Sequence, residues 1–254
     1  MAGFLDSIGY NSWVLPALLV IPLLGAVVIL LLPARVGAES GVAAESPAAR
    51  QLAFWFFVLE FVVSLGLWWS FNPADKGWQA SVDKSWIPTW GVRFTLGIDG
   101  IALMMVLLTT FIMPLSVLGS WTSIRTKVRS YYALLLILSS GMIGVFLARD
   151  LFLFYVMWEV MLVPMYFIVG IWGGERRIYA SVKFFIYTMI GSLLMLVAIL
   201  YLGIHVADPR TGTPNFSYDL ISQSIHVSPT TGLLLFGAFF LAFAVKVPMF
   251  HVAA

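Results

Sequence analysis

The stretch Asp150–Gly174, DLFLFYVMWEVMLVPMYFIVGIWGG, decides the fold. From Leu151 to Trp172 it holds 22 residues whose only charge is Glu159. At about 1.5 Å per residue such a run crosses a hydrocarbon layer of about 30 Å, so it reads as a membrane-spanning helix. The carboxyl group then sits near mid-membrane, where an ionised acid costs roughly 2.5 kcal/mol or more. Pro164, five residues on, has no N–H to offer the carbonyl of Val160, which loses its helical partner. A buried acid beside an unpaired carbonyl is costly, and packing does not require it.

The rest of the composition agrees with a chain that lives in a bilayer. Hydrophobic residues make up 61% and charged ones 10%, against about 25% charged in soluble domains. The absence of cysteine excludes disulfides, iron–sulfur clusters and thiolate metal sites. Three histidines, none at ligand spacing from another, make no haem or metal site. No glycine-rich nucleotide motif and no quinone site can be discerned. A net charge of +2 points to no nucleic-acid partner.

Working outward, the chain predicts an all-α, polytopic transmembrane bundle of seven spans. Trp13–Leu32 is the first, too long and without the basic start of a cleaved signal peptide. A solvated linker, Pro33–Arg50, leads to Leu52–Trp69, which ends on the interfacial pair Trp68-Trp69. Alternation at Val92, Phe94, Leu96 and Ile98 predicts a short extramembrane strand, in a β-like segment near 86–98, on the membrane surface. Asp99 is placed to cap the third span, which Pro114 kinks, and the fourth runs Tyr131–Ala148. A tight Arg149-Asp150 turn opens the fifth. The sixth covers about Ser181–Leu202 and the seventh Thr231–Phe250. Two parts are expected: residues 1–98, with two spans and the surface segment, and residues 99–254, with spans three to seven.

Seven spans alternate sides, so basic residues can be counted by face. The first, third and fifth connections hold eight: Arg35, Arg50, Arg125, Lys127, Arg129, Arg176, Arg177 and Lys183. The opposite face holds five: Lys76, Lys84, Arg93, Arg149 and Arg210. The positive-inside rule makes the first face cytoplasmic and puts the N-terminus outside.

The intramembrane charges are the candidate site. Glu159 shares a helix face with Tyr155 and Tyr166, a polar strip of the kind that marks proton or ion paths. The alternative is a neutral acid acting as glue between helices. Lys246, in FLAFAVKVPMF, is followed two residues on by Pro248, which frees the carbonyl of Ala244. It either snorkels to the interface or lies deep and desolvated. Lys183, flanked by Tyr179 and Tyr187 at helical spacing, reads as an interfacial anchor, with a relay role as the alternative. Glu60, central in the second span, is expected to serve a helix contact. His205 and His226 fall at or beyond span ends.

Residues 154–196, FYVMWEVMLVPMYFIVGIWGGERRIYASVKFFIYTMIGSLLML, and 242–250, AFAVKVPMF, resemble the antiporter-like membrane subunits of respiratory complex I. Within that family the resemblance is to the branch of bacterial subunit M, equivalent to mitochondrial subunit 4. WIPTWGVRFTLGIDGIALMMVLLT (86–109) resembles the stretch before that family's core. The resemblance implies that Glu159 is the essential glutamate of the fifth helix and Lys246 the lysine of a broken seventh helix. Lys183 is implied as the supporting lysine of the sixth. It implies a non-redox subunit of NADH:quinone oxidoreductase that translocates protons and is not catalytic by itself. NADH, FMN, iron–sulfur clusters and quinone are then expected on partner subunits, and the chain itself holds no cofactor. Other complex I membrane subunits and the lipid bilayer are the implied partners, and a bacterial inner membrane the implied location.

Family members continue past the VKVPMF-like motif with further helices, whereas here Phe250 is followed by His-Val-Ala-Ala. The chain is thus expected to be an N-terminal half, with most of the first antiporter-like repeat and a shortened seventh helix. Two other readings stay open at this point. One is a subunit of a multisubunit cation/proton antiporter or membrane-bound hydrogenase. The other is a truncated, purely structural fragment.

Overall fold

The computed structural model describes residues 2–32, 47–207 and 212–247. Readings that fall on 33–46, 208–211 and 248–254, including Arg35, Arg210, Pro248 and His251, lie outside the described residues.

A short helix α1 (Ala2–Ser7) precedes α2 (Tyr10–Leu31) and α3 (Pro47–Ser70). Strands β1 (Gln79–Ile87) and β2 (Val92–Ile98) come next and are hydrogen-bonded neighbours in a two-stranded sheet. Then follow α4 (Gly100–Ser120), α5 (Val128–Leu147), α6 (Leu151–Val160), α7 (Leu162–Trp172), α8 (Arg177–His205), α9 (Tyr218–Ser224) and α10 (Pro229–Lys246). With α6 and α7 taken together, seven helical segments among the described residues are long and apolar enough to cross a membrane. The polytopic helical bundle read from hydropathy is therefore the observed architecture.

Two details differ from the sequence reading. The strand near 92–98 has a partner, β1, whose residues QASVDKSWI are all exposed or half-exposed. A strand without an apolar face leaves no period-two signal to read. Arg50, assigned above to a solvated linker, lies inside α3 and is 7% exposed. Its guanidinium donates to the carbonyl of Ile124 at 2.6 Å, so it ties the start of α3 to the connection before α5.

By its contacts the chain divides into two units. Unit 1 comprises residues 1–82 and 97–147. Its core joins Ile29 of α2, Phe57 of α3, Val117 of α4 and Tyr132 and Leu136 of α5, all fully buried. Asp99 caps α4, its carboxylate accepting from the Ala102 N–H at 2.7 Å as the sequence suggested. The guanidinium of Arg129 donates to the carbonyl of Leu32, closing the same end of the unit as Arg50.

Unit 2 comprises residues 83–96 and 148–254. Here α8 packs against α6, α7 and α10, over a core of Val92, Met195, Ile199, Phe216 and Ala242. Gly203 lets Phe216 approach, since a Cβ there would stand 2.2 Å from the ring. Most of the α10 surface is apolar and uncovered; Leu233 and Leu234 are 70% and 71% exposed. That is the distribution expected of a lipid-contacting helix, in which outward apolar residues need no protein partner.

Candidate functional site

The site is built from its helix ends. Asp150, 2% exposed, sits at the N-terminus of α6. Its Oδ1 accepts from the N–H groups of Phe152 and Leu153 at 2.9 and 3.0 Å. These are two of the four donors that the first helical turn leaves without partners. Its Oδ2 accepts from the Arg93 N–H at 3.1 Å, which ties β2 to the helix start. Burial raises the pKa of this carboxyl above the ordinary aspartate value, and the three N–H groups oppose the rise.

Around it the backbone is pinned on several sides. The Arg149 N–H donates to the Thr95 carbonyl, the Leu151 N–H to that of Phe216, and the Tyr218 N–H to that of Arg149. Arg149 also pairs with Asp219. On the hairpin, Arg93 Nε donates to Asp83 at 2.8 Å and its guanidinium holds the Asp83 carboxyl below the usual carboxylate range. Sequence reasoning saw a tight turn here and missed the cap. The available signal was the one used for Asp99, an aspartate directly before an apolar helical run.

From that anchor α6 runs to Val160 and stops; Met161 belongs to neither half, and α7 begins at Leu162. The break falls where the missing N–H of Pro164 removes the bond to Val160. α2 and α4, by contrast, pass through Pro16, Pro22 and Pro114 as single helices. Glu159 lies in the last turn before the break. It is half-buried, and its Oε1 is buried with no hydrogen-bond partner among the described residues. Tyr155, one turn earlier, lies within electrostatic reach of Glu159 and beside Ser192 of α8. Tyr166 packs edge-on against Phe185 of α8.

Lys246 ends α10 on the same patch. Its ammonium lies 4.4 Å from the centre of the Trp158 ring and donates a long bond, 3.4 Å, to the Trp158 carbonyl. That carbonyl is among the last four of α6, which have no regular intrahelical donor. Phe243 locks the arrangement, its ring edge-on to Trp158 at 5.3 Å. Lys246 and Glu159 lie within electrostatic reach of one another. No salt bridge joins them among the described residues; the ammonium rests instead on the residue next to Glu159. Sequence reasoning did not single out Trp158, because nothing in a one-dimensional pattern marks a ring that will lie under a cation.

The other candidates are placed as follows. Lys183 is half-buried in the second turn of α8, its ammonium 5.8 Å from the Tyr179 ring. It lines an open groove of about 330 Å³ with Tyr179, Ile186 and Tyr187, on a face of α8 that is largely exposed. Glu60 is fully buried in unit 1 and receives a bond from Ser139 of α5, the helix contact expected for it. His205 stacks on Tyr201 at the end of α8, and His226 is exposed.

Chemically, unit 2 offers an acid and an amine at a helix break inside an apolar span, with tyrosines and Ser192 alongside. Such a set can hold and pass protons. Residues 148–254 match the family described as NADH:quinone oxidoreductase/Mrp antiporter, TM. The chain is similar to NADH-quinone oxidoreductase subunit M of Rhodobacter capsulatus, 42% identical over 223 residues, which are 82% of this chain and 42% of that one. It is also similar to NADH-ubiquinone oxidoreductase chain 4 of Chondrus crispus, 39% identical over 246 residues, 96% of this chain and 46% of that one. Among solved structures, a chain of respiratory complex I from Thermus thermophilus with bound NADH matches with a TM-score of 0.74 and 26% identity, over 92% of this chain and 44% of that chain. A chain of the Mrp complex from Dietzia sp. shares the fold, with a TM-score of 0.69, 19% identity, and coverage of 91% of this chain and 23% of that chain. The chain spans less than half the length of these curated relatives.

Proposed function

We propose, for a chain that belongs to the family of antiporter-like membrane subunits of NADH:quinone oxidoreductase and Mrp complexes, that Glu159 and Lys246 carry protons across the membrane. The observation that supports this best is the mid-span break. An acid with an unpartnered buried oxygen and an amine meet on adjacent residues of one half-helix end. In this reading the subunit does no redox chemistry. NADH, FMN, iron–sulfur clusters and quinone belong to partner subunits, whose reaction drives the helix movement.

Lys246 keeps its proton while the Glu159 carboxylate is near, and gives it up when the carboxylate moves away and the ammonium loses its counter-charge. Moving one charge against about 180 mV takes ~4 kcal/mol at ~2.3 kcal/mol per 100 mV. A change in the acid–amine separation at low dielectric supplies energy of that order. The discontinuity at Met161 is where a small helix displacement and entry of water are easiest. Lys183 supports the path from the start of α8, on the face that also carries Arg176 and Arg177. The positive-inside rule makes that face cytoplasmic and the N-terminus periplasmic in a bacterial inner membrane.

The test is Glu159→Gln in the assembled complex in sealed membrane vesicles. Redox-driven proton transport is lost while the complex still assembles and oxidises its donor; unchanged pumping sinks the proposal. The family description also names Mrp antiporters, which favours a second reading as a cation/proton antiporter subunit. A sodium gradient that moves protons through the complex with no electron donor present would select it.

A further inference from the structure

A second carboxyl group lies inside unit 1, far from either end of its helix. Glu60, in the middle of α3, is 0% exposed, as are Ser64, Thr110 and Ser139. Ser139 Oγ of α5 donates to Glu60 Oε2 at 3.4 Å, while Oε1 is buried with no hydrogen-bond partner among the described residues. One turn further along α3, Ser64 shares a 2.8 Å bond with Thr110 of α4. Their hydroxyls also lie against carbonyls of their own helices, Ser64 on Phe61 and Thr110 on Val106. α3, α4 and α5 therefore enclose a small polar interior with one oxygen left over.

Among the described residues no cation offsets the acid. α2 and α4 contain no charged residue. In α3 the charge nearest in sequence is Arg50, ten residues away, or about 15 Å along the axis, and its guanidinium is bound to the Ile124 carbonyl. In α5 it is Arg129, ten residues before Ser139, bound to the Leu32 carbonyl. Asp6 of α1 is exposed. Of the tyrosines, Tyr10 donates to the Val63 carbonyl, and Tyr131 and Tyr132 stand at the start of α5 with the Tyr132 hydroxyl on Ser120. An ionised carboxylate in this place would be buried without a counter-charge, which is costlier than burying the neutral acid. Helix glue alone does not account for it either, because an acid used only to join α3 to α5 would satisfy both oxygens.

We propose that Glu60 is a proton-binding site of unit 1, holding a proton on Oε1 and exchanging it with water that enters between α3, α4 and α5. The step is carboxylate plus hydronium giving carboxylic acid plus water, with no other reactant. The ligand is a proton and not a metal cation, because the Ser64 and Thr110 hydroxyls are engaged with each other and one carboxylate with one serine makes a poor cage. This inference does not rest on the Glu159–Lys246 reading and can fail separately from it.

Infrared difference spectroscopy of the full chain in lipid at neutral pH tests it. A carboxylic-acid C=O stretch is expected in the wild type and in Glu159→Gln but not in Glu60→Gln. It should move to lower frequency when H2O is replaced by D2O and fade reversibly on alkaline titration. The D2O shift is read on the wild type, so it stands even if the variant folds poorly. Absence of the band in the wild type would mean an ionised acid and overturn the proposal. A band that never shifts in D2O would mean a sealed structural group, and one lost on adding sodium at fixed pH a metal-cation site; either result overturns it.

Discussion

Removing the carboxylate of Asp150 tests how the candidate site is anchored. In Asp150→Ala the first turn of α6 loses its cap, two N–H groups at 2.9 and 3.0 Å, and β2 loses the bond at 3.1 Å that ties Arg93 to that turn. Loss of a cap costs about 1 kcal/mol, and the third bond about 1 kcal/mol more. A net loss of about 2 kcal/mol lowers Tm by ~4–8 °C in a chain of this size. Thermal melting in detergent or lipid, followed by tryptophan fluorescence, reads it directly. Asp150→Asn keeps a carbonyl acceptor and should lose less. The pH sign is fixed by burial, which raises this carboxyl in the folded state. The folded chain then binds more protons than the unfolded chain between the ordinary and the raised values, so stability from this group falls as pH rises through them. The advantage of the wild type over Asp150→Ala is therefore largest in mild acid and narrows toward neutrality. Equal melting of wild type and Asp150→Ala in mild acid, or an advantage that grows with pH, would refute the reasoning.

Three further outcomes follow from the same geometry. Lys246→Arg should assemble but fail to drive proton transport in vesicles, because a guanidinium does not release its proton near neutral pH; full pumping would show that a permanent charge suffices. Pro164→Ala supplies the absent N–H and should join α6 to α7, seen as slower amide exchange at Met161–Met165; unchanged exchange would mean that another residue sets the break. Gly91→Ala should destabilise the hairpin turn by about 2 kcal/mol or more. Gly91 has a φ of 67° and a Cβ there would fall 1.7 Å from the Pro214 carbonyl oxygen. A melting curve matching the wild type would contradict this.

The membrane spans were legible because twenty consecutive apolar residues have few alternatives, and all seven begin or end within a few residues of the helices observed. Helix starts such as that of α8 at Arg177 lie further out than hydropathy suggests, since polar residues at an interface can still take helical geometry. The break at Met161 was readable from Pro164. Arg50 was misplaced because composition around it resembles a linker, and only the Ile124 carbonyl explains why a cation is buried there. Trp158 was invisible for a different reason, because it acts through a partner distant in sequence, Lys246; the cap at Asp150 had a local signal, and only its bond to the Arg93 N–H is long-range.

The interruption at Met161 also has an electrical side. Aligned peptide groups give a helix a partial negative charge, about half an electron, at its C-terminal end. The carbonyl that Lys246 touches belongs to that end of α6. The backbone is thus a fixed, untitratable counter-ion for the lysine, present whether or not Glu159 is ionised. In the proposed proton path the side-chain acid would then adjust an attraction that the main chain already provides.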